Sequence, residues 1–208
     1  MKTICTLLFF LSLSMAVAAQ EKPKKGFISV GIGPSISLSS SQSYISNGQN
    51  TPPPQYFTPG TLGANVTLLE AGYVFPSKIG ITLKWSGTAF IKTKETELSN
   101  GNIETLNAEK GVGSIAIGPM YSFALTPSLN LDIKARIGRM YLSKETSKSY
   151  SDGSNSSSSS KGIGLGGEFG VGIRKHFARK WSWMTGIDLQ GARNGIQLNT
   201  SFGIGFRY

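Results

Sequence analysis

The stretch "GIQLNTSFGIGFRY", Gly195–Tyr208, decides how the rest of the chain is read. From Ile196 to Tyr208 every even position is apolar or threonine, and the odd positions are Gln197, Asn199, Ser201, Gly203, Gly205 and Arg207. A repeat of two is the period of a β-strand, whose successive side chains point to opposite faces. One face of this strand is apolar and the other is small and polar.

Seven more segments carry the same period. The first, Phe27–Ser39, sets Ile28, Val30, Ile32, Ile36 and Leu38 against serines and glycines. The third, Ile79–Ile91, sets Ile81, Leu83, Trp85, Ala89 and Ile91 against Thr82, Lys84, Ser86 and Thr88. Gly113–Phe123, Leu129–Ile137, Ile163–Arg174 and Trp181–Gly191 alternate in the same way. In the second, Thr61–Phe75, the apolar parity switches between Leu68 and Leu69, which predicts a β-bulge there and puts Glu70 on the polar face. Pro34 and Pro119 fall inside strands and lack a donor, so local bulges or distorted pairing are expected at both.

The head of the chain reads as a targeting segment. Lys2, the apolar run Ile4–Leu13 and the small-x-small Ala16-Val17-Ala18 make residues 1–19 a signal peptide, leaving one domain over 20–208. The only cysteine, Cys5, lies inside it, so the mature chain has no disulfide, thiol nucleophile or thiolate ligand. Connections are short after Phe75, Phe123 and Phe177. They are long at residues 40–60, 92–111 and 143–161, the last being low-complexity and expected to be mobile. A tight turn at 192–195 makes the fourth connection on that side.

A soluble barrel would carry Lys and Glu outside and apolar residues inside. Here the apolar face is almost free of charge over its middle, and the polar face is mostly Gly and Ser, which suits a narrow lumen wrapped in lipid. The strands that run toward the short turns end on Phe75, Phe123, Phe177, Phe206 and Tyr208, joined by Trp181 and Trp183. This is the pattern of a periplasmic aromatic girdle. The expected fold is all-β, an eight-stranded antiparallel up-and-down transmembrane β-barrel, and a monomer.

With strand pattern, loop asymmetry and aromatic terminus together, residues 20–208 resemble the OmpA/OmpX-type small outer-membrane β-barrel family of diderm bacteria, a porin-like barrel domain. The resemblance implies an outer-membrane location. It also implies that the terminal strand, with Ile204, Phe206 and Tyr208, is read by the barrel-assembly machinery. No peptidoglycan-binding domain is expected after the last strand.

The polar face collects Glu70, Asp132, Glu168 and Asp188 with Lys84, Lys134, Arg136 and Arg174. Buried charges need partners, so these read as an ion-pair network filling the lumen; the alternative is a narrow ion path. His176, the only histidine, lies at the periplasmic rim. Without a Ser or acid at supporting spacing it reads as structural, not as the base of a lipid-modifying hydrolase. "GIGLGG" (Gly162–Gly167) fits the G-x-G-x-x-G pattern but follows a serine-rich stretch and precedes a strand, so it is not a dinucleotide site. The formal net charge is +10, and the basic surplus gathers at the periplasmic side in Lys22, Lys24, Lys25, Lys78, Lys175, Arg179, Lys180 and Arg207, against Glu21. That placement suits anionic headgroups of the inner leaflet, not nucleic acid. No enzymatic activity, cofactor or metal is expected. The expected partners are outer-membrane lipids, the assembly machinery and a candidate extracellular ligand at loops 40–60, 92–111 and 143–161. The expected role is structural or surface-interacting, with a narrow channel or transport accessory as the alternative.

Overall fold

The computed structural model describes residues 26–39, 43–44, 56–57, 59–99, 101–192 and 195–208; the expected signal peptide, residues 1–19, and Lys22, Lys24 and Lys25 lie outside them. Among the described residues ten strands occur: β1 (Gly26–Ser37), β2 (Ser43–Tyr44), β3 (Tyr56–Phe57), β4 (Leu62–Val74), β5 (Ile79–Glu97), β6 (Ile103–Thr126), β7 (Leu129–Tyr150), β8 (Asn155–His176), β9 (Trp181–Ala192) and β10 (Gly195–Arg207). Eight of them close a ring in the order β1-β10-β9-β8-β7-β6-β5-β4, and β2 and β3 pair apart as a short ladder. Every pairing in the ring is antiparallel. At the seam Gly26 and Tyr208 exchange N–H···O bonds of 3.2 and 3.1 Å.

The alternation maps onto the wall as expected. Ile32 is 66% exposed and Ile163 70%, whereas Lys84 and Asp132 are each 1% exposed. The bulge falls where the parity switches. Thr67 pairs with Ser86 and Leu69 with Trp85, leaving Leu68 as the extra residue, and Glu70 turns inward.

The two prolines interrupt pairing on one side each without an inserted residue. β1 skips from Ile32–Phe202 to Ser35–Asn199, and β6 from Ile117–Ile137 to Met120–Lys134, in unchanged register. At Pro34 the facing Thr200 carbonyl instead accepts from Asn65 Nδ2 at 3.4 Å, while Thr200 Oγ1 donates to Pro34 O at 2.9 Å.

Two of the three expected long loops are not loops. Residues 92–111 and 143–161 continue strands β5 to β8 to tight turns, where Leu98 N–H donates to Asn102 O and Tyr150 N–H to Ser154 O. Gly101 and Gly153 hold the positive φ these turns need. The serine run 156–160 is therefore paired strand, in register with residues 144–148 of β7. β4 pairs with β5 only as far as Phe90, and β9 pairs with β8 only as far as Gly166. Residues beyond those points form a four-stranded blade rising from the barrel rim. Only its central strands β6 and β7 bury one face, with Glu104 and Lys148 paired at 2.8 Å, Lys148 lying 4.9 Å from the Tyr150 ring and β2 against β7. Of the segment 40–60, the described part is the β2–β3 ladder and residues 59–60.

At the blade tip, the Oγ–H and N–H of Ser154 donate to Asp152 Oδ1 at 2.6 and 2.9 Å. These bonds hold the Asp152 carboxyl below its usual range. A lowered folded-state pKa contributes stability above the ordinary carboxylate range, lost as the pH falls through the folded value. Asp152→Ala should speed amide exchange at Ser154 at neutral pH without altering the barrel strands. Acidification of the parent protein should reproduce the effect. Unchanged exchange in the variant would contradict the role given to this carboxylate.

Candidate functional site

All eight charged residues of the polar face are buried in the lumen, at 1–8% exposure. They fall into two groups, not one. Arg136 is the hub of the larger. Its guanidinium reaches Glu70 through Nη2 and Glu168 through Nη1, and it donates to Thr82 Oγ1 from Nε and Nη2 at 3.3 and 3.1 Å. Lys84 Nζ bridges Glu168 Oε2 at 3.2 Å and Asp188 Oδ2 at 2.6 Å, and Lys134 Nζ meets Glu70 Oε1 at 2.5 Å. Glu70, Glu168 and Asp188 thus balance Lys84, Lys134 and Arg136, a neutral cluster of six. Nearer the periplasm, Arg174 and Asp132 pair separately at 3.1 Å, both bonded to Ser122.

Packing requires a glycine at one point of this cluster. A Cβ on Gly170 would lie 1.9 Å from Asp188 Oδ1, so its absence is what lets the Asp188 carboxylate lie across β8 toward Lys84.

Apolar residues also point inward, which the polar-face reading did not anticipate. Phe27, Met120 and Met184 form a buried plug at the periplasmic end, with the Arg174 guanidinium 4.3 Å above the Phe27 ring. Above the charged cluster sits a layer of amides and hydroxyls: Gln190, Gln197, Asn199, Asn65, Thr88 and Ser35. The remaining voids beside Glu70 measure about 10 Å³ each, no more than a single water requires.

His176 lies at the rim carrying the short turns, with a serine beside it that spacing did not reveal. His176 Nδ1 is 2.9 Å from Ser182 Oγ, and Nε2 is 3.3 Å from Asn130 Nδ2. Ser182 is 0% exposed, so a substrate carbonyl could not reach its hydroxyl. The trio ties β7, β8 and β9 together.

Outside, the aromatic residues Phe75, Phe123, Phe177, Trp181, Trp183, Phe206 and Tyr208 are exposed at the end carrying the short turns. Trp183 stacks on Phe202 at 5.3 Å and Trp181 meets Phe206 edge-on at 5.6 Å, so β10 interlocks with β9 through its rings. Lys180 lies 5.7 Å from the Phe206 ring, and Arg207 donates to the Ala178 and Arg179 carbonyls at 3.0 Å. One outward residue departs from the charge-free belt. Arg139 is exposed between Ile115 and Leu165. It stands about 20 Å up the wall from Leu131, at the upper limit of an apolar band of ordinary height.

A closed antiparallel ring with an apolar exterior and a polar, filled interior is stable only in lipid. The chain is a small outer-membrane β-barrel. No family model matches it, and no curated protein sequence does. Among solved structures, Ail of Yersinia pestis, in complex with the heparin analogue sucrose octasulfate, is similar at 16% identity over 88% of this chain and 99% of that one, with a TM-score of 0.45. OprG of Pseudomonas aeruginosa is similar at 12% identity over 89% and 97%, TM-score 0.48. Neisserial surface protein A gives 12% over 88% and 97%, TM-score 0.41. At such values the assignment rests on the closed ring and its belt.

Removing one member of a buried ion-paired group strands its partners, at a cost of about 3–5 kcal/mol. Arg136→Leu should therefore lower urea resistance of the folded barrel far more than Lys148→Leu in the blade, read by tryptophan fluorescence. Gly170→Ala should destabilise in the same direction by displacing Asp188. Equal midpoints for Arg136→Leu and Lys148→Leu would show that the cluster is not what holds the lumen.

Proposed function

We propose that this barrel is a non-catalytic outer-membrane protein with a structural and surface-interaction role. The observation that carries the reading is the pairing of a filled lumen with strands β5 to β8 that outrun their neighbours. A wall that conducts nothing across the membrane nevertheless raises a rigid blade on the side opposite the short turns. Binding surfaces are commonly built on such outer segments of a rigid scaffold. The two charge groups serve as the structural plug. The rings from Phe75 to Tyr208 anchor the barrel at the inner lipid boundary, where amphipathic rings are stable. The basic residues beside them, Lys78, Lys175 and Lys180, meet anionic headgroups. The β10 strand, with Ile204, Phe206 and Tyr208, is the part offered to the assembly machinery, and the blade with the β2–β3 segment is where an extracellular ligand docks.

Replacing residues 92–108 and 144–160 by tight turns should leave a heat-modifiable, SDS-resistant barrel that loses its crosslinked partners on intact cells. Retention of the same partners would overturn the blade's role. In planar bilayers the parent protein should give no stable unitary current, because the voids in the charged layer hold single waters; ion-selective steps would overturn the plug. Deleting Phe206–Tyr208 should impair insertion more than deleting part of Ser154–Ser160. Equal insertion of the two would count against the assembly role of β10.

A further inference from the structure

We propose that the outer mouth of the lumen binds a small carboxylate with an apolar body, held by Lys110 and Gln190. The proposal goes beyond the surface role of the blade and does not depend on it.

Gln190 carries the first observation. Its Oε1 accepts from Gln197 Nε2 at 2.5 Å and from Asn199 Nδ2 at 3.2 Å, which fixes the orientation of the amide. The Nε2 group then points away from both donors. It is buried, in a residue 2% exposed, and has no hydrogen-bond partner among the described residues. A buried donor without an acceptor is unfavourable unless something supplies one.

Lys110 supplies the second. It is 4% exposed, its Nζ donates to the Ser37 hydroxyl at 3.2 Å, and it lies 5.3 Å from the Phe90 ring. No carboxylate pairs with it among the described residues. Directly opposite on β7 stands Lys144, so the nearest charge in register repels it. A buried ammonium so placed favours an anion beside it.

Both residues line one cavity of about 50 Å³, whose other walls include Val112, Met140 and Leu142. Gly195 also lines it; a Cβ there would press Ser39 Oγ at 2.3 Å and approach Lys110 Nζ at 3.7 Å, so a side chain would fill the space. One carboxylate oxygen would take the Lys110 ammonium, the other the Gln190 amide, and the apolar body would lie against Val112, Met140 and Leu142. An inorganic anion would satisfy the donors but leave the apolar wall unused, and a neutral alcohol would leave the ammonium unpaired.

The test uses the ¹⁵N-labelled barrel in phospholipid nanodiscs, titrated with hexanoate, hexanol and inorganic phosphate, and reads the Gln190 side-chain amide. Hexanoate should shift that signal saturably, and hexanol and phosphate should not. Lys110→Met should weaken hexanoate binding about tenfold, the scale of one lost hydrogen bond to a charged group. Thr126→Ala at the opposite rim should leave it unchanged. Heat-modifiable mobility establishes that each variant is folded, and Gln190→Leu, read by calorimetry, stands in if Lys110→Met fails to fold. No saturable shift, equal binding of hexanol or phosphate, or full affinity in a folded Lys110→Met or Gln190→Leu variant would overturn the proposal.

Discussion

The structure depends on one constraint: within hydrocarbon, every backbone N–H and C=O must find its partner inside the protein. A sheet meets that demand only by closing, which is why β1 pairs with both β4 and β10 and no strand of the ring keeps a free edge inside the belt. The two prolines show how tightly the rule applies. Each removes one donor, and at Pro34 the released Thr200 carbonyl is met by Asn65 from β4, a side chain reaching past β1 to do a backbone's work. The register is unchanged on either side of the gap, because a slip of one residue would turn the apolar face inward along the whole strand.

Closure with eight strands fixes the second level. The lumen is too narrow for bulk water, so inward residues must pack and pair among themselves. Glycine positions make room for the side chains beside them, as Gly170 does for Asp188 on the neighbouring strand. Charges can lie there only in balanced groups, and the cluster of six is neutral and shares its oxygens among three cations. The ion pairs follow from the barrel's diameter as much as from the charges themselves.

The sequence makes the membrane part of the wall legible and the aqueous part obscure, for one physical reason. Where lipid wets one face and a packed lumen the other, alternation is enforced residue by residue; it locates all eight wall strands and places the bulge at Leu68. Above the belt, water wets the outward face, and a strand can be polar throughout, so Lys92–Glu97 and Ser156–Ser160 read as loops while pairing as strands. Within the lumen, parity identified which charged residues point inward but not which ones touch. The division between Arg136 and Arg174 depends on height along the axis, which no single strand records. Phe27, Met120 and Met184 stand at inward parities, and that signal could have located the periplasmic plug. The buried partner of His176, Ser182, lies across a turn and is brought near only by the β8–β9 register.

The two ends of the lumen are chemically unlike, and this bears on where the barrel can act. The periplasmic end is closed by aromatic and thioether packing capped by a guanidinium, and its one histidine is tied to a fully buried hydroxyl. Its polar groups are largely committed to one another. Toward the outside, ion pairs give way to amides, and the amides to a lysine without a carboxylate beside a cavity with apolar walls. Amides hold both donors and acceptors, so a stacked amide layer must end on a group with spare capacity. Here that group is Gln190 Nε2, which has no partner among the described residues. Beneath the rim from which the blade rises, the filled barrel thus holds an amide donor and an ammonium with hydrogen-bonding capacity to spare.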